Sequence, residues 1–368
     1  MSSPQSTPSP RPAKTRGHRF LATSVGTVLG LSVAGGLAQR LRRDEPGDDD
    51  LLGAAAGEPV PVRGAGSSRI YAEVIRGRPG TMVFTHGWCL TQASWHYQKL
   101  GLGGSPWTVV AWDLPGHGRS TVPRGRDISF GLAVDALARV VDQLTGDDVV
   151  LVGHSLGGMV TLSYLAENPE TARAKVRGAV LVSTPLMHVP RSVAGRWPGA
   201  PLEAWALHTS LGLLLGNPGV DRILNAQAGS IGSATLSYRF IRTGFGTAPA
   251  PAVVRFVRDI IATVPREVRT RTFHAMAGYD LSSSVTEVEV PALVVLGTKD
   301  RVVNPAETRA IGDLLPRARV VEFPGAGHAA FLERAVAFNR EVAGFAGPRL
   351  RARGRRAPSG DGPGDSPR

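Results

Sequence analysis

Val149-Val150-Leu151-Val152-Gly153-His154-Ser155-Leu156-Gly157-Gly158 is the stretch on which the reading of this chain turns. Four apolar, mostly β-branched residues predict a short buried strand. Met159 to Asn168, with Val160, Leu162, Tyr164 and Leu165 apolar, predicts a helix directly after it. Gly153 and Gly157 flank Ser155 at the G-x-S-x-G spacing of a nucleophile elbow. The glycines are there for a physical reason. At a strained strand-to-helix turn, a Cβ on either would collide with neighbouring backbone. The turn lifts the hydroxyl clear of the sheet and sets it at a helix N-terminus, where the dipole favours developing negative charge. In a chain with 45 glycines the bare pattern says little; between a strand and a helix it marks Ser155 as a nucleophile.

The same patterning continues on both sides. Before the elbow, strands are predicted at Arg69–Arg76, Met82–Thr85 and Trp107–Trp112. A helix is predicted at Phe130–Leu144, where Leu132, Val134, Leu137, Val140 and Val141 recur at helical spacing. After it come strands at Val176–Ser183, Ala292–Leu296 and Arg319–Phe323, then a closing helix at Ala330–Phe345. Strands alternating with helices predict a mostly parallel α/β sheet, which binds ligands beyond the carboxyl ends of its strands. The rhythm breaks at Thr184-Pro185. Residues 186–275, punctuated by prolines and carrying helical stretches such as Val253–Thr263, read as an inserted helical cap. The core is thus expected in two parts, 69–185 and 276–348.

The ends differ in composition. The chain carries a net charge of +12, but residues 1–43 hold seven Lys/Arg without an acid, and residues 349–368 hold six Arg against two Asp. The region between them is nearly neutral, so no basic face for nucleic acid is expected on the fold. Residues 1–19 and 349–368 read as basic disordered tails, and 42–68, acidic and then Gly/Ala/Pro-rich, as a linker. Within 20–41, Phe20–Ala38 is an uncharged run of 19 residues flanked by basic ones, long enough to cross a bilayer. It reads as a membrane anchor. A secretory signal peptide with a small-x-small site at Gly36-Leu37-Ala38 is the competing reading, and a non-spanning helix with a cytoplasmic protein the third. Cys89 is the sole cysteine, which excludes an intrachain disulfide and an all-Cys metal site.

A serine hydroxyl needs a general base and an acid that orients it. Of nine histidines, His328 in Gly325-Ala326-Gly327-His328 follows a predicted strand, which puts it on the same sheet edge as Ser155. Asp300, in Leu296-Gly297-Thr298-Lys299-Asp300-Arg301, also lies just past a strand end, and Glu307 is its nearest replacement. The order Ser155, Asp300, His328 is one in which such triads occur. Other residues draw blander readings. His117 lies in a Gly-flanked turn and reads as structural. His154 packs and orients the elbow. His188, His208 and His274 in the cap have no visible partner.

Taken with His86-Gly87-Trp88 and Asp113-Leu-Pro-Gly-His-Gly-Arg-Ser120, these residues make 69–348 resemble the α/β-hydrolase superfamily, in its capped serine esterase and lipase-like branch. The resemblance implies an oxyanion hole from the backbone N–H groups of Trp88 and Leu156. It implies acyl chemistry on a small-molecule substrate with no cofactor or metal. The single Gly87 departs from the lipases with an HGGG motif. His86, Gly87, Trp197 and Trp205 are the candidate substrate contacts, although His86 equally reads as a brace for the oxyanion loop, and Asp113 as a residue at the rim. The expected reaction is carboxylic ester hydrolysis. Thioester, amide and carbon–carbon bond hydrolysis, metal-free perhydrolysis, and ligand binding without turnover remain open on the same constellation.

Overall fold

The computed structural model describes residues 52–78, 80–104, 106–186, 238–239, 241–277 and 285–351. Its centre is an eight-stranded sheet built from β1 (Glu58–Arg63), β2 (Arg69–Ile75), β3 (Thr81–Thr85), β4 (Thr108–Trp112), β5 (Val149–His154), β6 (Val176–Val182), β7 (Ala292–Gly297) and β8 (Ala318–Phe323). The spatial order is β1-β2-β4-β3-β5-β6-β7-β8. β1 pairs antiparallel with β2, and β2 antiparallel with β4, while every pairing from β4 to β8 is parallel. The chain runs from β3 outward to β4 on one side, then resumes at β5 on the other. That reversal opens a crevice between the carboxyl ends of β3 and β5, the ordinary ligand position in such sheets.

Every residue of β3, β5 and β7 is buried. This is why these segments are continuous Val/Leu-rich runs rather than alternating ones. Alternate side chains feed two cores. On one face Val83, Leu151, Leu181 and Val294 pack with α2 (Phe130–Leu144) and α3 (Leu156–Glu167). On the other, Phe84, Val152, Val182 and Val295 pack with α5 (Pro251–Thr263) and α9 (Ala335–Arg351). The remaining α-helices among the described residues are α1 (His96–Leu102), α4 (Pro169–Lys175), α6 (Arg266–Ala277), α7 (Pro305–Leu314) and the short α8 (Ala330–Glu333). α2 starts where expected because the Ser129 side chain accepts from the Leu132 amide, an N-cap that satisfies one orphan donor.

Two expectations fail. Residues 58–63, read as linker, form β1. Pro59 and Pro61 disguise it, yet an edge strand tolerates proline because one side of it needs no ladder donor. The approach to β1 is held as well. Gly53 and Ala55 N–H both donate to His96 Nδ1, at 3.2 and 3.3 Å, and Gly57 N–H donates to Glu73. The closing helix is also not one piece. It breaks at Arg334 and resumes as α9, which continues through Pro348 to Arg351, beyond the boundary expected for the basic tail.

Between β6 and β7 the described elements are helices, in keeping with a cap; Trp197, Trp205, His188 and His208 lie outside the described residues. So does Phe20–Ala38. Among the described residues no helix is long and apolar enough to cross a membrane.

Candidate active site

The elbow is as tight as its glycines imply. A Cβ on Gly153 would meet the Gly157 carbonyl, and one on Gly157 would meet the Thr85 carbonyl. Ser155 itself has φ 52° and ψ −116°, a region that L-residues avoid. Its N–H donates to Val182 O at 2.8 Å, strand-fashion, while its carbonyl already accepts from Gly158 and Met159 N–H as the first turn of α3. The residue is therefore strand on one side and helix on the other.

Asp300 and His328 follow β7 and β8 on the same edge. His328 Nδ1–H donates to Asp300 Oδ2 at 2.8 Å, which fixes the tautomer and leaves Nε2 bare. The other carboxylate oxygen accepts from Val302 and Val303 N–H at 2.8 and 3.0 Å, so the acid is held from behind. Glu307, the alternative acid, meets no histidine among the described residues. It is buried, accepts from Leu186 N–H at 2.7 Å, and burial pushes its carboxyl up to about 8.

Ser155 and His328 line one cavity. No hydrogen bond joins the Ser155 hydroxyl to His328 Nε2; in unliganded sites such contacts are commonly long and tighten around substrate. The cavity is walled by Val257 and Ile261 of α5, Phe273 and Met276 of α6, and Trp88. Its described lining is almost wholly apolar. Of the wall residues, Val257 and Ile261 fall in the helical stretch expected at Val253–Thr263, whereas α6 has no such expectation in the sequence and runs past the expected cap boundary at 275.

The loop after β3 explains the large residue at 88. His86 is fully buried, and among the described residues neither it nor Gly87 lines the cavity. His86 Nε2 accepts from Leu114 N–H at 3.0 Å, which makes Nδ1 the donor to Gly87 O at 2.8 Å. Burial, then the neighbouring His117, keeps this ring neutral. A trans peptide sets C=O and N–H on opposite sides. Holding the Gly87 carbonyl therefore turns the Trp88 N–H the other way. Among the described residues neither Trp88 N–H nor Leu156 N–H donates a hydrogen bond. Leu156 opens α3, so its amide is one of the orphan donors at a helix start. The Trp88 indole meanwhile donates to Arg269 O at 2.8 Å and packs on Phe273, tying the loop to α6. Arg269 in turn donates to Val264 O at 2.7 Å, closing the carboxyl end of α5.

Two residues serve as structural braces. Asp113 accepts from Gln92 and Arg119 N–H, stands away from the cavity, and is pushed up to about 6 by burial. His117 is buried, with Nδ1–H donating to Pro115 O and burial lowering it to about 4. Glu333 joins them without any signal along the chain. Its two oxygens accept from Gly246 and Gly327 N–H, both at 2.8 Å, clamping the loop that carries His328. Among the described residues no group of three or more His, Cys, Asp or Glu could hold a metal ion.

A family model described as the alpha/beta hydrolase family matches residues 82–341. A bifunctional esterase/perhydrolase from Acinetobacter calcoaceticus is 30% identical over 269 residues, 72% of this chain and 90% of that protein. A polyketide synthase from Burkholderia thailandensis is 28% identical over 252 residues, but the match spans only 11% of its length. Among solved structures, an esterase from Exiguobacterium antarcticum superposes with a TM-score of 0.62 at 19% identity, covering 78% of this chain and 99% of that one.

Proposed function

Because the chain belongs to the alpha/beta hydrolase family and is an enzyme of that kind, we propose that it hydrolyses carboxylic esters through Ser155, His328 and Asp300. The observation that carries this is one cavity lined by Ser155 and by a histidine whose far nitrogen is bound to a buried carboxylate. Ser155 Oγ attacks the ester carbonyl while His328 Nε2 takes its proton and returns it to the departing alcohol. Asp300 holds the imidazole and stabilises the imidazolium. The tetrahedral oxyanion sits against Trp88 and Leu156 N–H, aided by the positive end of α3. Water, activated by the same histidine, then releases the acid from the acyl-serine.

The name of the Acinetobacter relative supports a second reading. Hydrogen peroxide attacking the same acyl-serine in place of water would release a peracid and restore the hydroxyl, with no metal involved. The two readings share one nucleophile, and that is tested first. A serine-directed fluorophosphonate should label Ser155, and a short chromogenic ester should turn over. Ser155→Ala should remove the label and lower kcat by about 10⁴–10⁶-fold. Labelling that survives in this variant would overturn the assignment; a binding protein would neither label nor turn over.

We propose further that Phe20–Ala38 anchors the enzyme in a membrane, with the basic end segments adding attraction to anionic lipid. The full chain should resist a high-salt wash and come away with detergent. A chain starting at Asp48, which keeps the contacts of Gly53, Ala55 and Gly57, should be soluble and equally active. An unprocessed, soluble full-length product would sink the anchor, and a mature N-terminus near Gln39 would convict the run as a signal peptide.

A further inference from the structure

His154 fills the first of the two unspecified positions in the G-x-S-x-G elbow, and its side chain packs against two other loops. The residue is 2% exposed, lines the cavity beside Ser155 and His328, and sets its ring between those loops. On one side Nε2 makes a 3.0 Å hydrogen bond to the backbone carbonyl of His328, 174 residues away. A carbonyl only accepts, so Nε2 carries the proton. The two imidazoles lie 4.7 Å apart, centre to centre, and Phe331 closes the far side at 4.8 Å. On the other side the ring rests on Gly87, close enough that a Cβ there would come within 2.6 Å of Nδ1. One side chain thus touches the residue before the oxyanion donor Trp88 and the backbone of the general base, and its own chain neighbour is the nucleophile.

We infer that His154 is a positioning residue that sets the oxyanion loop and the base loop in register with the serine, through its Nε2–H bond to His328 and its contact with Gly87. The inference rests on the hydrolase reading above. A space-filling ring would explain the packing but not the chemistry. Nδ1 is buried with no partner among the described residues, a desolvation cost that Phe or Leu would avoid. The bond made by the other nitrogen offsets that cost. Burial, and next the nearby His328, hold the ring neutral, which the single-donor arrangement requires.

The test separates the donor from the ring. His154→Phe keeps a flat ring and loses Nε2–H; His154→Gln loses the ring and keeps an N–H at similar reach. Since misplacing a reacting group by an ångström costs about 10²-fold, His154→Phe should lower kcat by roughly 10–100-fold with KM little changed. Fluorophosphonate labelling of Ser155 should slow by the same factor. His154→Gln should recover most of both. If Phe proves too large for the site, His154→Asn, one methylene short of the carbonyl, should show the same loss in a folded protein. Parental kcat in the Phe or Asn variant, or a Gln variant no better than either, would overturn the inference and leave His154 as filler that moves only the melting temperature. Failure of the parental protein to label would be a different result, removing the hydrolase reading itself.

Discussion

Two buried acid–base pairs in this molecule have nearly the same hydrogen-bond length and very different surroundings. Lys99 meets Glu73 at 2.7 Å, with side chains 1% and 9% exposed; His328 meets Asp300 at 2.8 Å, with side chains 15% and 2% exposed. The first pair is saturated. Lys99 directs its three N–H bonds to Glu73, Gln92 and the Ala55 carbonyl. Glu73 also accepts from Tyr71, Gln92 and Gly57. Burial alone would raise the Glu73 carboxyl, but the Lys99 bond and charge and the Tyr71 hydroxyl outweigh it and hold it low. Nothing is left over to react. In the second pair, among the described residues, every polar atom is likewise committed except His328 Nε2, on a residue that lines the cavity. Under the proposed function, what separates the two pairs is that one atom left unbonded, among the described residues, on a residue that lines the cavity.

The contrast can be broken most directly at the acids. Asp300→Asn should lower kcat by roughly 10⁴-fold, because the amide would hold the imidazole in the wrong tautomer. Glu73→Gln should leave kcat per labelled site unchanged and instead cost about 3–5 kcal/mol of stability in a denaturant titration, since it strands a buried ammonium. A Glu73 variant that lost turnover while keeping its melting temperature would erase the distinction. A smaller effect is expected at the cavity wall. Phe273→Ala should change the preference between short and long acyl esters by about 1–3 kcal/mol, with labelling intact. An unchanged chain-length series would place the acyl group elsewhere.

Glu307 sharpens the comparison at its weakest end, being an acid with neither a cation nor a histidine among the described residues. Its folded pKa, raised to about 8, lies above its ordinary value of 4.5. The native state therefore binds its proton more tightly than the unfolded chain does. The stability this confers is complete below about 4.5, declines as pH rises toward 8, and is gone above it. Glu307→Gln keeps an acceptor for Leu186 N–H. It should leave kcat nearly untouched and flatten the fall in melting temperature between about pH 5 and 8. An equally steep fall in the variant would assign that slope to other groups.

Much of this was legible in the chain itself, and the losses have physical causes. The elbow showed because a buried strand, two close-approach glycines and a helix are all local in sequence. Asp300 and His328 showed because each follows a strand end. β1 did not, because Pro59 and Pro61 imitate a linker and only the edge position of the strand permits them. His86 was half-read: its place beside the oxyanion loop was visible, but the bond that turns its ring into the core is made to Leu114, 28 residues on. Glu333 has no signal in the sequence, and His154 reads only as orienting its own elbow, because no pattern along the chain announces a bond across 87 or 174 positions.

The backbone at Ser155 has a consequence for how the protein stands up to heat. Its φ of 52°, with Cys89 at 61° and Ser183 at 45°, makes up the set of positive-φ non-glycine residues among those described, and all three follow neighbouring strands at the reactive edge. Such conformations cost on the order of 1–3 kcal/mol each. Glycine would relieve the cost at 155, where alanine would keep it. Both substitutions remove the hydroxyl, yet Ser155→Gly should melt several degrees above Ser155→Ala, at roughly 2–4 °C for each kcal/mol recovered. Equal melting points would mean that the turn stores no strain. The fold is built to hold a residue it would be more durable without, and thermal endurance is what it gives up for reactivity.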